Sequence, residues 1–196
     1  MGRRTIILGL TGSIAMGKST AAAMFRRMGV RVFEADRVVH GLFTDAEVVA
    51  EIAKLFPKAT KGGMIDRETL GAAVFGDKAA LKKLEAVLHP RVGRAELQFL
   101  KQAALRRDRL VVLEIPLLFE TGGDRRCDAT IVVTAPRFIQ QARLLRRPAM
   151  TPERLAAIRA RQMPEHEKLK RTDFIVPTGL GRALTLRHLS EIARMA

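Results

Sequence analysis

Apolar residues cluster in short runs separated by turn residues, at positions 5–10, 30–33, 110–115, 129–134 and 174–176. Each run lacks the alternation of a half-buried strand, which is the pattern of strands covered on both faces. The segments between them carry apolar residues at helical spacing. Strand, helix, strand in this order predicts an α/β fold with a five-stranded parallel sheet between helical layers.

Two stretches are too long for a single crossover. Between the second and third runs, amphipathic spacing predicts helices at 46–56, 67–75, 78–88 and 92–107. Turns are expected at Lys61-Gly62-Gly63 and Gly76-Asp77, and the His89-Pro90 pair breaks the helical pattern between the last two helices. Residues 37–108 are therefore expected to form a helical insertion that binds an acceptor, within one domain spanning 1–196. The second stretch, 137–171, holds ten Arg and Lys against three Glu, a net +7. Pro148 and Pro164 divide it into helices, and it is expected to form a basic lid.

Charge narrows the chemistry. The chain has 196 residues, 47% of them apolar, with a formal net charge of +15. That balance points to polyanionic partners: nucleotides, nucleic acid, a phosphate-rich cofactor or an anionic membrane surface. A single cysteine, Cys127, excludes an intramolecular disulfide and a cysteine metal cluster. His40, His166 and His188 share no metal-ligand spacing. Arg3 and Arg4 precede an apolar run that ends within a few residues, without a cleavage site or a membrane-length stretch. A soluble cytoplasmic protein without membrane contact is expected, as a monomer or a weak homo-oligomer.

Residues 9–20 read GLTGSIAMGKST, and Gly12, four residues, then Gly17-Lys18-Ser19 satisfies the Walker A spacing between a strand and a helix. Such a loop turns backbone N–H groups around phosphates at the positive end of the following helix. Gly12, Ser13, Ile14, Ala15, Met16, Gly17, Lys18, Ser19 and Thr20 are thus the expected contacts to a nucleoside triphosphate. Lys18 serves the β and γ phosphates, and the Ser19 hydroxyl serves Mg²⁺. Ala15 stands where many such loops carry another glycine, so a negative φ is expected there.

Asp36 follows the second apolar run, in Phe33-Glu34-Ala35-Asp36-Arg37. A carboxylate at the end of a strand beside the loop can steer an acceptor hydroxyl and take its proton. The competing structural reading makes Asp36 the N-cap of the next helix.

Together these segments resemble the dephospho-CoA kinases, the family that completes coenzyme A synthesis. The resemblance rests on GLTGSIAMGKST, EADRVVH, Ile65-Asp66-Arg67, Leu88-His89-Pro90, EIPLLFE at 114–120, Gln141 with Arg143, and Arg161-Gln162-Met163-Pro164. It implies a P-loop NTPase three-layer core, ATP as the triphosphate that the loop contacts, and transfer of the ATP γ-phosphoryl, with Mg²⁺, to the ribose 3′-hydroxyl of dephospho-CoA. It further implies catalytic roles for Lys18, Asp36 and Arg143, acceptor contacts at Asp36, His89, Pro116, Leu117 and Leu118, and Glu114 as a candidate magnesium-side carboxylate. Leu117, Leu118 and Phe119 serve equally as core backing, and lid arginines equally as a solvated face, with Arg146 and Arg147 weaker candidates than Arg143. The chain departs from the family pattern at Glu34 and Glu114, where Asp is usual, and at Pro177, where an acid often follows the last strand.

Two other functions fit parts of the pattern. A nucleoside or nucleotide kinase of the same fold would share the loop but not IPLLFE with His-Pro. An ATP-dependent nucleic-acid-binding protein would fit the charge, but 5% aromatics without Trp or Tyr give few stacking platforms. No specific nucleic-acid partner is expected.

Overall fold

A computed structural model describes residues 4–146 and 150–196. The chain folds as two compact units: one of residues 1–34 with 102–196, the other spanning Ala35–Lys101.

The first unit is built on a five-stranded sheet. Its strands are β1 (Ile6–Thr11), β2 (Arg31–Glu34), β5 (Leu110–Glu114), β6 (Ala129–Thr134) and β7 (Phe174–Pro177), in the order β2-β5-β1-β6-β7. All pairings are parallel. The five apolar runs therefore become strands within about a residue of where their pattern puts them. β5, the neighbour of β1, is buried at all five positions. The order also corrects an expectation: β2, which leads to Asp36, is not beside β1, because β5 lies between them.

Helices α1 (Lys18–Arg27) and α9 (Arg182–Met195) pack against one core cluster. Leu8 and Leu10 of β1, Val112 of β5, and Ile131 and Val133 of β6 meet Phe25 and Met24 of α1 and Leu189 and Ile192 of α9. The odd positions of β1 face the other way. A Cβ on Gly9 would lie 2.7 Å from Leu118 and 2.8 Å from the Cys127 sulfur, so that layer requires the missing side chain. The remaining helices of this unit are α6 (Arg137–Leu145), α7 (Pro152–Arg161) and α8 (Glu165–Arg171). Pro164 caps the start of α8 as its sequence position suggests, while Arg147 and Pro148 lie outside the described residues.

The second unit contains α2 (Ala35–Leu42), α3 (Ala46–Leu55), the short strands β3 (Thr60–Lys61) and β4 (Met64–Ile65), α4 (Arg67–Val74) and most of α5 (Lys78–Leu105). Gly62 and Gly63 supply two consecutive positive φ values, 58° and 76°, as a two-residue turn between antiparallel strands requires. Aspartates open three of the helices: Asp45, Asp66 and Asp77 each accept two backbone N–H bonds at the start of α3, α4 and α5. A small core of Val48, Ile52, Leu70, Leu84, Val87 and Leu88 holds them together.

α5 corrects a second expectation. It is one helix of 28 residues that runs through Pro90 rather than breaking there. Proline removes one backbone donor, but Leu84, Val87 and Leu88 on the preceding turns are buried in the core. Arg91, the next residue, donates its guanidinium to the Val87 carbonyl at 2.9 Å and to Glu51 at 2.6 Å. Packing and these side-chain bonds carry the helix past the missing N–H. Among the described residues no helix is long and apolar enough to cross a membrane.

Candidate active site

β1 ends at Thr11 and α1 begins at Lys18, so residues 12–17 form a loop that hands over to a helix N-terminus. Two glycines are demanded by space. A Cβ on Gly12 would meet the Val133 side chain at 2.6 Å and its carbonyl at 2.7 Å, and Gly17 combines φ +95° with Thr178 at 2.9 Å. The loop therefore lies directly against β6 and the segment after β7.

Its peptide groups are held by side chains from far along the chain. Gln140 Nε2 donates to the Ile14 carbonyl at 2.8 Å, Arg143 Nη1 to the Ala15 carbonyl at 3.3 Å, and Thr178 Oγ1 to the Met16 carbonyl at 2.6 Å. Gln162 Oε1 accepts the Ile14 N–H at 3.1 Å, and the Met16 N–H closes a turn onto Ser13. A trans peptide points its N–H opposite to its C=O. Fixing the carbonyls of 14 and 16 thus turns the N–H groups of Ala15 and Gly17 away from those anchors, as an anion-binding nest requires.

Ala15 departs from the expectation of a negative φ: it sits at +62°, in the left-handed region. A residue with a Cβ pays about 1–2 kcal/mol there. Arg143 on its own carbonyl and Gln140 on the carbonyl before it offset that cost.

Lys18 places Nζ 2.5 Å from Glu114 Oε1, and Glu114 is buried at the end of β5 in register with Leu10. Glu34 ends β2 in register with Glu114 and pairs with Arg26. Ser19 and Thr20 are exposed on the first turn of α1. A hydroxyl and a buried carboxylate are hard oxygen donors, which fits Mg²⁺ held through few protein ligands together with substrate phosphates.

Arg143 is half-buried. Besides Ala15 it reaches Thr178 twice, Nη1 to the hydroxyl at 3.0 Å and Nη2 to the carbonyl at 2.7 Å. Thr11 donates to the Pro116 carbonyl at 3.1 Å. Leu117 is partly exposed, whereas Leu118 and Phe119 are buried and back the strand layer. In the helical unit, Asp36 is exposed in the first turn of α2, inside the helix rather than at its cap. Unlike Asp45, Asp66 and Asp77, its carboxylate carries no hydrogen bond or ion pair among the described residues. His89 is exposed on α5. Asp66 caps α4, and its hydrogen bond from Lys61, with the Thr69 backbone bond, holds its carboxyl well below the usual carboxylate range.

Residues 6–179 match the dephospho-CoA kinase family model. The chain belongs to the dephospho-CoA kinase family. It is 58% identical over 163 residues to a dephospho-CoA kinase of Paramagnetospirillum magneticum, covering 83% of this chain and 77% of that one. It is 52% identical to one of Rhodospirillum rubrum, over 97% and 92% of the two chains. A solved structure from Thermus thermophilus superposes with a TM-score of 0.86 at 37% identity, over 98% and 97%.

The motif residues were legible in the sequence, but several that hold them were not. Gln140, not the exposed Gln141, meets the loop; the signal was one amide on the buried side of α6. Thr178 follows β7 without any motif. Lys168 has no exposed surface, and its ammonium lies 2.9 Å from Glu120 Oε1, close enough for an ion pair though not aligned for a hydrogen bond. The same oxygen accepts the Met163 N–H at 2.6 Å, next to Gln162.

Proposed function

We propose that the protein transfers the γ-phosphoryl group of ATP to the ribose 3′-hydroxyl of dephospho-CoA, giving coenzyme A and ADP. The reading is carried by a fully anchored phosphate loop in a chain whose residues 6–179 match that family. The loop N–H groups and the N-terminus of α1 bind the polyphosphate, and Lys18 adds a point charge to its β and γ groups. Arg143 keeps loop and 178 segment together and brings its charge to the place where negative charge develops in transfer. Bound through Ser19 and Glu114, Mg²⁺ would supply charge neutralisation on the phosphates.

Asp36 is the base. Among the described residues its carboxylate has no structural partner to give up, whereas Glu34 is engaged with Arg26. The 3′-oxygen forms a bond to γ-phosphorus as the bond to the ADP oxygen breaks. The hydroxyl proton passes to Asp36 and then to water. The helical segment 37–108, with His89, and Pro116, Leu117 and the backing residue Leu118 bind the acceptor. Segment 137–171 serves as the basic lid.

Incubating the protein with ATP, Mg²⁺ and dephospho-CoA should yield one ADP per molecule of product with the mass of CoA. Adenosine, nucleoside monophosphates and RNA, supplied in parallel, should be neither phosphorylated nor specifically bound. Phosphorylation of a nucleotide acceptor with no CoA formed would move the reading to a nucleotide kinase.

A further inference from the structure

The two peptides flanking the Ile14 Cα are gripped by two glutamine amides used in opposite senses. The peptide before it offers an N–H, and Gln162 accepts it; the peptide after it offers a carbonyl, and Gln140 donates to it. The two glutamines come from different elements. Gln140 is buried on α6, and Gln162 ends α7. Gln162 is itself held in place: the next residue, Met163, donates its N–H to Glu120, which is paired with buried Lys168. Fixing both planes at Ile14 fixes its φ and ψ, and so the orientation in which Ala15 enters the left-handed region.

We propose that Gln140 and Gln162 are positioning residues of the phosphate loop, acting through the Ile14 peptides, and that each must keep its own hydrogen-bond polarity. The proposal rests on the reading of the loop as the ATP site. The physical requirement is asymmetric. A carboxylate at 162 still accepts the Ile14 N–H. At 140 it faces a carbonyl with no proton to give, which leaves the carbonyl unsatisfied and adds repulsion. Gln→Glu is nearly isosteric and adds one negative charge in either place, next to the same residue. The comparison between the two variants therefore holds size and formal charge constant, and the Met variant at each site serves as that site's own reference because Gln140 is the more buried of the two. A chain of bonds from Lys168 through Glu120 and Met163 to Gln162 also links the base of the basic segment to the loop.

The test measures affinity for Mg²⁺-ATP by calorimetry with no acceptor present, alongside kcat and KM for ATP. Four variants are compared: Gln140→Glu, Gln140→Met, Gln162→Glu and Gln162→Met. Met removes the polar atoms at similar length. At 162, Glu should bind ATP about tenfold more tightly than Met; at 140, Glu should bind no better than Met. Kinetically, Gln140→Glu should lose roughly tenfold to a hundredfold in kcat/KM for ATP. Equal behaviour of the two Glu variants, or Gln162→Glu no better than Gln162→Met, would overturn the proposal. If Gln140→Glu fails to melt cooperatively, Gln140→Lys, which restores a donor, replaces it. Lys must then exceed Met in ATP affinity, and equality overturns the proposal. Because affinity is read without acceptor, a wild type that binds ATP but leaves dephospho-CoA unmodified would refute the proposed reaction and leave this result standing.

Discussion

The phosphate loop and the helical unit are held in opposite ways. At the loop, three successive carbonyls are anchored by side chains 126 to 162 residues away in sequence. In the helical unit, each of three helices starts on an aspartate that bonds N–H groups two and three residues ahead. A loop with a non-glycine residue in a strained position, as Ala15 is, needs support from outside its own segment. A helical scaffold needs only local caps and one apolar face. Asp36 is the exception that tests this contrast, since it is an aspartate at a helix start with no capping duty.

The largest effect should come from Asp36. We expect Asp36→Asn to lower single-turnover transfer by about 10² to 10⁴, the usual contribution of a positioned base. ATP affinity and melting temperature should stay near wild type, because the carboxylate caps nothing. Glu34→Gln should be milder, weakening the Arg26 pair at a partly exposed site. Near-wild-type transfer by Asp36→Asn with a dead Glu34→Gln would exchange the two roles.

Next comes Lys18. A point charge about 3 Å from a phosphate oxygen is worth roughly 5 kcal/mol at an effective dielectric near 20, before desolvation is subtracted. With half of that surviving, Lys18→Ala should cost about 10² in turnover. Turnover within about threefold of wild type would remove Lys18 from the mechanism. The variant also leaves Glu114 buried without its partner, so melting should be measured beside activity.

Which features could be read from sequence follows from the same contrast. The loop and the five strands were legible because a motif of eight residues and unbroken apolar runs are local signals. Strand order was not, because nothing local says that β5 rather than β2 lies beside β1. Gln140 looks like any polar helix residue until the fold brings it to Ile14, and Gln162, although it belongs to the Arg161-Gln162-Met163-Pro164 segment, carries no local sign that its partner is the Ile14 peptide. Pro90 misled because the local rule is sound but loses to the packing of Leu84, Val87 and Leu88. Ala15 misled because the anchors that hold it at φ +62° lie at 140 and 143.

A third effect should appear in stability rather than chemistry. Lys168→Met leaves Glu120 partly buried without its cation, and breaking a buried pair typically costs about 3–5 kcal/mol. For a chain of this size the melting temperature should fall by roughly 10 °C. Adding Glu120→Gln, which keeps an acceptor for the Met163 N–H, should restore part of the loss. No recovery in the double variant would mean that Lys168 contributes packing rather than charge.

The smallest effect belongs to the helical unit and depends on pH. The Asp66 carboxyl is held low by Lys61 and by the N–H groups it caps, and a carboxyl whose folded pKa is depressed stabilises the fold above its unfolded pKa. That contribution is fully present at neutral pH and is lost as pH falls below about 4 towards the depressed value. Asp66→Asn keeps a capping oxygen but loses the charge, so it should melt slightly below wild type at pH 7. The gap should narrow on acidification, because below about pH 4 the carboxyl of the unfolded chain takes up a proton while the folded one is still ionised, which favours unfolding of the wild type. Melting curves of the two proteins from pH 7 to pH 3 test this. A gap that persists unchanged at pH 3 would assign the cost to geometry at the cap rather than to the ion pair. A gap as large as that of Lys168→Met would mean that the helical unit depends on this one locally read residue far more than an exposed cap allows.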